Sequence, residues 1–332
     1  MKENQYQFRL SIIVAIYNVE AYLERCLSSI VKQDLPPEVY EILLINDGST
    51  DGSLAIAQKY EQQYSNVKVF SKENGGLSSV RNFGIDHSQG RYIMHVDGDD
   101  FLEENVVGKV VKVAEENDLD LCFFDSQTFP NGRKLNNFWQ FPKYKIYTGE
   151  RLLLGGMKVS STWCAIYKYS FLKESKIFFY DRISHQDVEY NYRLYPLAQR
   201  VLFTDLLVYN YFIEGESISR TNNLNKKKRN YLDNLIIVRN VKQFAYSNNY
   251  SAAIKDFLIR KMNSTEVAFL LSFLRKDSLF GYEFAKDFVE EAKRLSVYPI
   301  KGKTYSWKTS VILPFINIKW LYLALVRLFN HK

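Results

Sequence analysis

Apolar segments of strand length alternate with segments of helical spacing over the first hundred residues. The apolar segments cover residues 10–14, 40–45, 67–70 and 92–96, and the helical ones cover residues 19–32, 54–64 and 78–88. Strands that alternate with helices in this way predict right-handed βαβ units and a mostly parallel sheet with helices on both faces. The pattern therefore predicts an α/β fold.

The alternation weakens after residue 120. Short aromatic strands are predicted at 121–125 and 138–147, a helix at 187–197, and three longer helices at 225–247, 251–275 and 280–295. We therefore expect an α/β domain over residues 1–222, built from the halves 1–120 and 121–222. A helical C-terminal region follows over residues 223–332.

Polar residues and glycines follow each of the four predicted strands. They are Tyr17 and Asn18, then Asp47, then the glycine pair at 75–76, and finally the acidic turn at 97–100. Ligands of such sheets lie beyond the carboxyl ends of the strands. We expect these residues to share one edge of the sheet.

The acidic turn reads Asp97-Gly98-Asp99-Asp100 and directly follows an apolar strand. Carboxylates this close repel one another unless a cation offsets their charge. Hard oxygen ligands suit Mg²⁺ or Mn²⁺, which commonly bridge one or two carboxylates to substrate phosphates. A solvated acidic turn or a helix cap is the alternative for a turn considered alone.

Four segments of the chain together resemble a known family. They are LSIIVAIYN at 10–18, INDGSTDG at 45–52, NGGLS with VRNFG at 74–84, and HVDGDD at 95–100. In this order and spacing they are similar to the family 2 glycosyltransferases, and the similarity extends to about residue 220. The resemblance implies the GT-A fold, with a nucleotide-sugar-binding half over 1–120 and an acceptor half over 121–222.

The resemblance also implies which residues bind the donor, a nucleotide-diphosphate sugar. It places Tyr17 near the base, Asp47 on a ring N–H, and Arg81 on the base or the diphosphate; Arg81 as an exposed helix residue is the alternative. Ala15 stands where the family usually has proline. The implied donor-binding set is Ala15, Tyr17, Asn18, Asp47, Gly76, Arg81, Asp97, Gly98 and, from a closing loop, Arg220.

The family's metal and its catalytic base are implied in the same way. Asp99 is the expected direct ligand of Mn²⁺ or Mg²⁺, with Asp97 on the ribose or in the metal shell, while Asp100 is expected to cap the next segment. For inversion a base must take the proton of the acceptor hydroxyl. Asp187 matches its position, although Gln186 replaces the usual glutamate before it.

Two further residues are expected on the acceptor side. Trp163 lies in a segment that resembles the acceptor-lining part of the family, and His185 precedes the expected base by two positions. A buried core tryptophan and an exposed loop histidine are the alternatives. Glu189 is about 200° around the helix from Asp187 and is less suited to act as the base.

Charge is distributed unevenly along the chain. Residues 1–200 contain 23 Lys/Arg and 26 Asp/Glu, whereas residues 201–332 contain 21 and 11. Apolar residues accompany the cations in the final segment, 308–332, where Trp, Tyr and Leu lie between Lys and Arg. This composition predicts a helix on an anionic membrane surface and not a nucleic-acid site. A buried helix or a homodimer contact is the alternative.

The remaining features favour a reduced compartment. The three cysteines, Cys26, Cys122 and Cys164, show no C-x-x-C spacing, which argues against disulfides and zinc. The first apolar run is of strand length and is not expected to be a signal peptide. We expect a cytoplasmic protein that lies peripherally at the inner face of the cell membrane.

Together these features predict an inverting, metal-dependent glycosyltransferase. The expected donor is a nucleotide-diphosphate sugar, in particular a UDP-sugar. The expected acceptor is a saccharide or a polyprenyl-diphosphate-linked saccharide of a capsule, exopolysaccharide or O-antigen. A catalytically weakened sugar-nucleotide-binding or assembly protein of the same fold is the alternative, because Gln186 replaces the usual acid. A dinucleotide-dependent dehydrogenase is disfavoured, since no glycine follows the first strand.

Overall fold

The computed structural model describes residues 6–135, 140–159, 161–213, 223–247, 250–275 and 278–329. The chain divides into two compact units, residues 1–182 with 194–215 and residues 183–193 with 216–332. The segment 183–193 thus groups with the second unit, although it lies within the domain predicted over 1–222. The predicted boundary after residue 222 falls on residues outside the described ranges and stays a prediction.

The first unit is built on one eight-stranded sheet. Its described strands are β1 (Phe8–Ile16), β2 (Tyr40–Asn46), β3 (Val67–Ser71), β4 (Gly90–Asp97), β5 (Phe101–Leu102), β6 (Leu121–Phe129), β7 (Ala165–Lys168) and β8 (Val201–Phe212). The order is β3-β2-β1-β4-β7-β6-β8-β5. The first four strands by position pair in parallel, so the predicted parallel layer is confirmed.

The helices of this unit connect and cover the strands. They are α1 (Glu20–Val31), α2 (Ser53–Gln63), α3 (Leu77–His87), α4 (Val107–Glu116), α5 (Gly149–Leu154) and α6 (Tyr169–Ser175). The three helices predicted between the first strands are confirmed. All seven residues of β2 are buried, as expected for a parallel strand covered on both faces.

The second half of the sheet is mixed. Strand β7 pairs antiparallel with both β4 and β6, while β8 runs parallel to β6 and antiparallel to β5. The strand predicted over 138–147 is wrong for its described part. Residues 140–147 contribute only one isolated bridge, between Tyr147 and Val201.

The second unit is helical in its described residues. Its helices are α7 (Gln186–Leu194, which belongs to this unit up to Arg193), α8 (Leu224–Ser247), α9 (Ala252–Ser272), α10 (Tyr282–Arg294), α11 (Trp307–Asn317) and α12 (Lys319–Phe329). The three predicted long helices are confirmed. Among the buried contacts of this unit is the ion pair of Lys242 in α8 with Glu266 in α9 at 3.2 Å.

The end of the chain departs from the single helix predicted over 308–332. Helices α11 and α12 are separated by a break at Ile318 and bent by 103°. The side chain of Asn317 is engaged at this break, because it accepts from the Ile300 N–H and donates to the Ile300 carbonyl. Among the described residues, no single helix has the length and hydropathy of a membrane span, and the bent pair reaches them only when taken together.

Candidate active site

The residues predicted to share one edge of the sheet lie at one edge within the first unit. Tyr17, Asp47 and the pair Gly75–Gly76 lie in the loops after β1, β2 and β3, and Asp97 is the last residue of β4. The parallel register of these strands places their carboxyl ends side by side. Their side chains differ sharply in exposure. Tyr17 is 50% exposed, whereas Asp47 is 2% exposed. The tyrosine ring is therefore available to a ligand, whereas the aspartate is buried beneath the surface of this edge.

Asp47 holds the loop between β3 and α3. Its carboxylate accepts from the Lys72 ammonium at 2.5 Å, from the Gly75 N–H at 2.9 Å and from the Gly76 N–H at 2.7 Å. Gly76 has a φ of +84°, a conformation that favours glycine. A carboxylate accepts about four hydrogen bonds. Within the described chain, Asp47 thus retains capacity for one further donor.

Asn18 joins two of the loops. Its side-chain oxygen accepts from the Thr50 N–H at 2.8 Å, and its own N–H donates to the Ser49 hydroxyl. The residue has a φ of +51°, a left-handed conformation that asparagine tolerates better than most residues. The loops after β1 and β2 are therefore fixed to one another before any ligand binds.

Arg81 lies under this edge and pairs with the acidic turn. It is only 3% exposed, so the alternative of an exposed helix residue is wrong. Its Nη2 donates to Oδ1 of Asp97 at 3.0 Å, and its guanidinium lies 5.5 Å from the centre of the Phe179 ring. Its Nε and Nη1 have no hydrogen-bond partner among the described residues. Buried guanidinium N–H groups without acceptors suit an anionic ligand.

The acidic turn divides its carboxylates between the surface and the core. Asp97 and Asp99 are half-buried, whereas Asp100 is fully buried. Asp100 accepts from the Tyr209 hydroxyl at 2.7 Å and from the Phe212 N–H at 2.8 Å. Asp100 therefore connects the turn to β8. The prediction that it caps the next segment is wrong.

The carboxylates of the turn impose a negative field on the groups beside them. Burial raises the pKa of Asp100 well above its usual range, and the nearby charges of Asp99 and Asp97 raise it further. Burial also raises the pKa of the Cys26 thiol, and the three carboxylates of the turn add to that shift. A cation at Asp97 and Asp99 would relieve this field, because opposite charge favours the ionised carboxylates.

Gly98 is required at its position by a close backbone approach. Its N–H donates to the Ala15 carbonyl at 3.0 Å. A β-carbon on Gly98 would lie 2.7 Å from that carbonyl oxygen and 3.0 Å from the Val19 side chain. The residue thus brings β1 and the acidic turn together, and Ala15 contributes through its main chain.

Arg25 contacts the acidic turn and was not among the predicted site residues. This residue of α1 donates from Nη2 to the Asp99 carbonyl at 3.0 Å. Its guanidinium lies 4.5–5.3 Å from the centres of three phenylalanine rings, those of Phe101, Phe129 and Phe212. The local pattern gave no signal for it, because Arg25 is about 200° around α1 from the buried Leu23.

Trp163 supports the turn from the core. It is 8% exposed and stacks on Tyr209 at 4.4 Å and on Tyr211 at 5.7 Å between ring centres. Tyr209 in turn accepts from the Asp97 N–H at 3.1 Å. Of the two readings of Trp163, this packing supports the core tryptophan, and contact with an acceptor stays a prediction.

The expected base lies in the second unit. Asp187 is in the first turn of α7 and is half-buried, and its Oδ1 accepts from the Val188 N–H. Glu189 is 1% exposed and is engaged by Arg193 and Asn240. His185 precedes α7 with a φ of +56°. Arg220 lies outside the described residues.

No group of three or more His, Cys, Asp or Glu side chains within the described ranges is arranged to hold a metal ion. Asp97 and Asp99 are thus two adjacent carboxylates at the edge and not a complete protein cage. The three cysteines are buried, and none of them forms a disulfide.

The model of the glycosyl transferase family 2 matches residues 11–175. The chain belongs to this family. The match contains the ends of β1 to β4 and every predicted donor-binding residue except Arg220. Membership in family 2 confirms the resemblance on which the site was predicted.

Several curated relatives of this family 2 chain are known by name. The uncharacterized glycosyltransferase YibD of Escherichia coli is 29% identical over 67% of this chain and 67% of its own length. The poly(ribitol-phosphate) beta-glucosyltransferase of Bacillus spizizenii is 31% identical over 64% of this chain but only 33% of its own. The cholesterol galactosyltransferase of Borreliella burgdorferi is 25% identical over 96% and 94%.

Solved structures share the fold of the family 2 chain. TarS 1-349 of S. aureus in complex with UDP-GlcNAc has a TM-score of 0.73 at 22% identity, over 96% of this chain and 91% of that one. The mannosyltransferase PcManGT of Pyrobaculum calidifontis in complex with GDP-Man and Mn2+ has a TM-score of 0.57 at 14% identity, over 98% and 88%. The predicted GT-A fold with an added C-terminal helical region is confirmed.

Proposed function

We propose that this chain is an inverting, metal-dependent glycosyltransferase that takes its sugar from a nucleotide-diphosphate donor, in particular a UDP-sugar. The observation that carries the proposal is the buried Arg81, which is paired with Asp97 and whose Nε and Nη1 have no acceptor in the part of the chain that the structure describes. The oxygens of a diphosphate can accept hydrogen bonds from this guanidinium, and they can also coordinate a cation held by the adjacent carboxylates.

The donor set of the acidic turn fits Mn²⁺ or Mg²⁺. Asp99 and Asp97 would hold the ion, while Asp100 is fully buried and engaged by Tyr209 and Phe212. Two carboxylates are enough, because such ions take their remaining ligands from substrate phosphates and water. The bound ion would act as a Lewis acid on the leaving diphosphate. The Mn2+ complex of the mannosyltransferase with the same fold supports this choice.

The nucleoside end of the donor would lie over Tyr17 and Asp47. An exposed aromatic ring offers a face to a planar base. The remaining acceptor capacity of Asp47 matches one ring N–H of uracil. Main-chain groups of Ala15, Gly76 and Gly98 and the side chain of Asn18 line the same edge. The UDP-GlcNAc complex of TarS supports a uridine donor.

Asp187 is the proposed base for the acceptor hydroxyl. The contacts of its neighbour support this choice, because Glu189 is buried and neutralised by Arg193. A base must expose its carboxylate to the acceptor, and Asp187 is half-exposed where Glu189 is not. Trp163, His185 and Arg220 remain proposed contributors on the acceptor side and the closing loop.

The proposed acceptor is a saccharide or a polyprenyl-diphosphate-linked saccharide of a cell-surface polymer. Support comes from the names of relatives, among them the poly(ribitol-phosphate) beta-glucosyltransferase. The second candidate function is a sugar-nucleotide-binding protein with weakened turnover. It is favoured by Gln186, which is 8% exposed beside the proposed base and supplies no charge to tune it.

One experiment separates these functions. The chain is screened against UDP- and GDP-sugars for thermal stabilisation with and without Mn²⁺, since a bound donor raises the melting temperature. The best donor is then offered with lipid extracts and oligosaccharides, and release of the nucleoside diphosphate is measured for the unmodified chain and for Asp187→Asn. Transfer that is lost in Asp187→Asn while donor binding persists is expected. Full activity in that variant would remove Asp187 as the base, and donor binding without transfer would favour the second function.

A further inference from the structure

The two C-terminal helices each present an apolar stripe to solvent. On α11 the stripe consists of Trp307, Val311 and Phe315, and on α12 it consists of Trp320, Ala324 and Leu328. Spacings of four residues place the members of each stripe on one helical face. The two tryptophans are 72% and 73% exposed. Each stripe therefore begins with an unburied indole ring.

The opposite faces of the same helices are fixed within the second unit. The Tyr298 hydroxyl donates to the Ile316 carbonyl at 2.7 Å, and the Tyr322 hydroxyl donates to the Leu270 carbonyl at 2.9 Å. Leu313, Ile316, Tyr322, Leu323 and Val326 are buried beneath them. The helices are thus anchored by one face, and the exposed stripes are available for an external surface.

The charged side chains of the segment that carries these stripes have one sign. Residues 295–329 contain five cations, Lys301, Lys303, Lys308, Lys319 and Arg327, and no Asp or Glu. Lys319 is paired with Glu290 of α10, and Arg327 lies over the ring of Tyr282. The remaining three lysines are exposed. An anionic surface would complement this region, whereas a second copy would bring like charges together.

We propose that these two stripes dock the chain onto an anionic phospholipid leaflet, with α11 and α12 lying in the plane of the headgroups. Tryptophan prefers this depth because its ring is apolar and its N–H is polar. Lysines beside the apolar face add electrostatic attraction to anionic lipid. Insertion across the bilayer would break the buried tyrosine bonds that anchor both helices, so the helices lie on the surface. Docking is independent of the proposed function, since it requires neither donor nor acceptor.

Vesicle co-sedimentation of the full chain tests the proposal. Vesicles contain phosphatidylglycerol with phosphatidylcholine, or phosphatidylcholine alone. We expect binding to the anionic vesicles only, and a fall in partitioning of about tenfold or more for Trp307→Ser with Trp320→Ser, because interfacial binding scales with buried apolar area. The triple variant Lys301→Gln, Lys303→Gln and Lys308→Gln should bind the anionic vesicles more weakly. This loss of binding should shrink as salt is added, because salt screens the attraction that the lysines supply. Tyr246→Ser with Leu279→Ser, which removes two exposed apolar side chains elsewhere in the unit, is the matched control.

A second measurement uses the unmodified chain. Acyl chains brominated near the headgroup should quench its tryptophan emission, and the quenching should disappear in Trp307→Phe with Trp320→Phe. Absence of quenching, or equal vesicle binding by the serine variants and the control, would overturn the proposal. The proposal would also be overturned if the chain formed a dimer without lipid, and if the serine variants lost this dimer but kept vesicle binding. The stripes would then bind a second copy of the chain.

Discussion

Arg81 and Asp97 form an ion pair of 3.0 Å in which the arginine is 3% exposed and the carboxylate is one-quarter exposed. The buried partner thus keeps part of its hydrogen-bonding capacity beneath the edge where a diphosphate is expected. We predict that Arg81→Lys weakens UDP binding in Mn²⁺ by roughly 10–100-fold, because hydrogen bonds to charged groups contribute about 1.5–3 kcal/mol and lysine lacks the fork of donors. Calorimetric titration of the unmodified chain and the variant with UDP measures this change in affinity.

Arg91→Lys is the matched control for that variant. Arg91 lies at the other end of β4 and pairs with Asp118 on the surface, where it is one-third exposed. Its replacement should leave UDP affinity unchanged. Equal losses in the two variants would show that the effect of Arg81 is general destabilisation and not loss of a ligand contact.

Gly98→Ala should destabilise the turn. The new methyl group would lie 2.7 Å from the Ala15 carbonyl oxygen, and neither backbone segment can move without disturbing β1 or β4. We predict a loss of about 1–3 kcal/mol in the free energy of unfolding, in the range of overpacked cores, together with weaker Mn²⁺-dependent UDP binding. Gly52→Ala is the control, since its methyl group would meet only the flexible end of Glu20. Urea denaturation compares the two.

Arg25 should act as a positioning residue for the metal. Its bond to the Asp99 carbonyl and its contacts with Phe101, Phe129 and Phe212 fix the main chain of the turn. We predict that Arg25→Gln raises the Mn²⁺ concentration for half-maximal UDP binding by roughly tenfold, because removing a residue that supports a metal ligand typically costs about 10–100-fold in metal affinity. Affinity at saturating Mn²⁺ should change little, and Arg25→Lys should restore part of the metal response. A purely structural role would lower stability without shifting the metal titration.

The buried Lys242–Glu266 pair should make stability depend on pH. Burial raises the pKa of Glu266 to about 7 from its ordinary 4.5, so the folded carboxyl keeps a proton that the unfolded one has lost. Stability therefore falls as pH rises through that window. Burial lowers the pKa of Lys242, which acts in the opposite direction below its ordinary 10.5.

The variant Lys242→Met with Glu266→Gln removes both ionisable groups. We predict that the free energy of unfolding of the unmodified chain falls relative to this variant between pH 5 and pH 8, by an amount on the order of a few kcal/mol. The exposed pair Asp256–Arg260, replaced by Asn and Gln, should show no such trend. A pH-independent difference between the chain and the double variant would contradict the assigned pKa.

The parallel half of the fold followed from periodicity, because strands buried on both faces read as continuous apolar runs and the intervening helices carry stripes. The second half of the sheet did not. Strands β7 and β8 are stabilised by partners far away in sequence, such as Met94 with Ile166 and Cys122 with Leu202. No local pattern specifies such pairings, and the predicted strand at 138–147 failed for that reason.

The candidate site shows the same division. The positions of Tyr17, Asp47 and Asp97 at strand ends follow from local sequence and the order of βαβ units. The burial of Arg81, the use of Asp100 to hold β8, and the aromatic enclosure of Arg25 depend on tertiary contacts across the sheet. The predicted tail helix was wrong at Ile318, because the contact between Asn317 and Ile300 is also non-local.

The most direct test of the site is UDP affinity measured by calorimetry with Mn²⁺ and with EDTA, for the unmodified chain and for Asp99→Asn. If Asp99 and Asp97 hold a cation against the diphosphate, Mn²⁺ should tighten UDP binding of the unmodified chain by about tenfold or more, since each charge-assisted contact is strong. Asp99→Asn should bind UDP with the same weak affinity under both conditions. Equal enhancement by Mn²⁺ in the variant and the unmodified chain, or no enhancement in either, would contradict the metal site on the acidic turn.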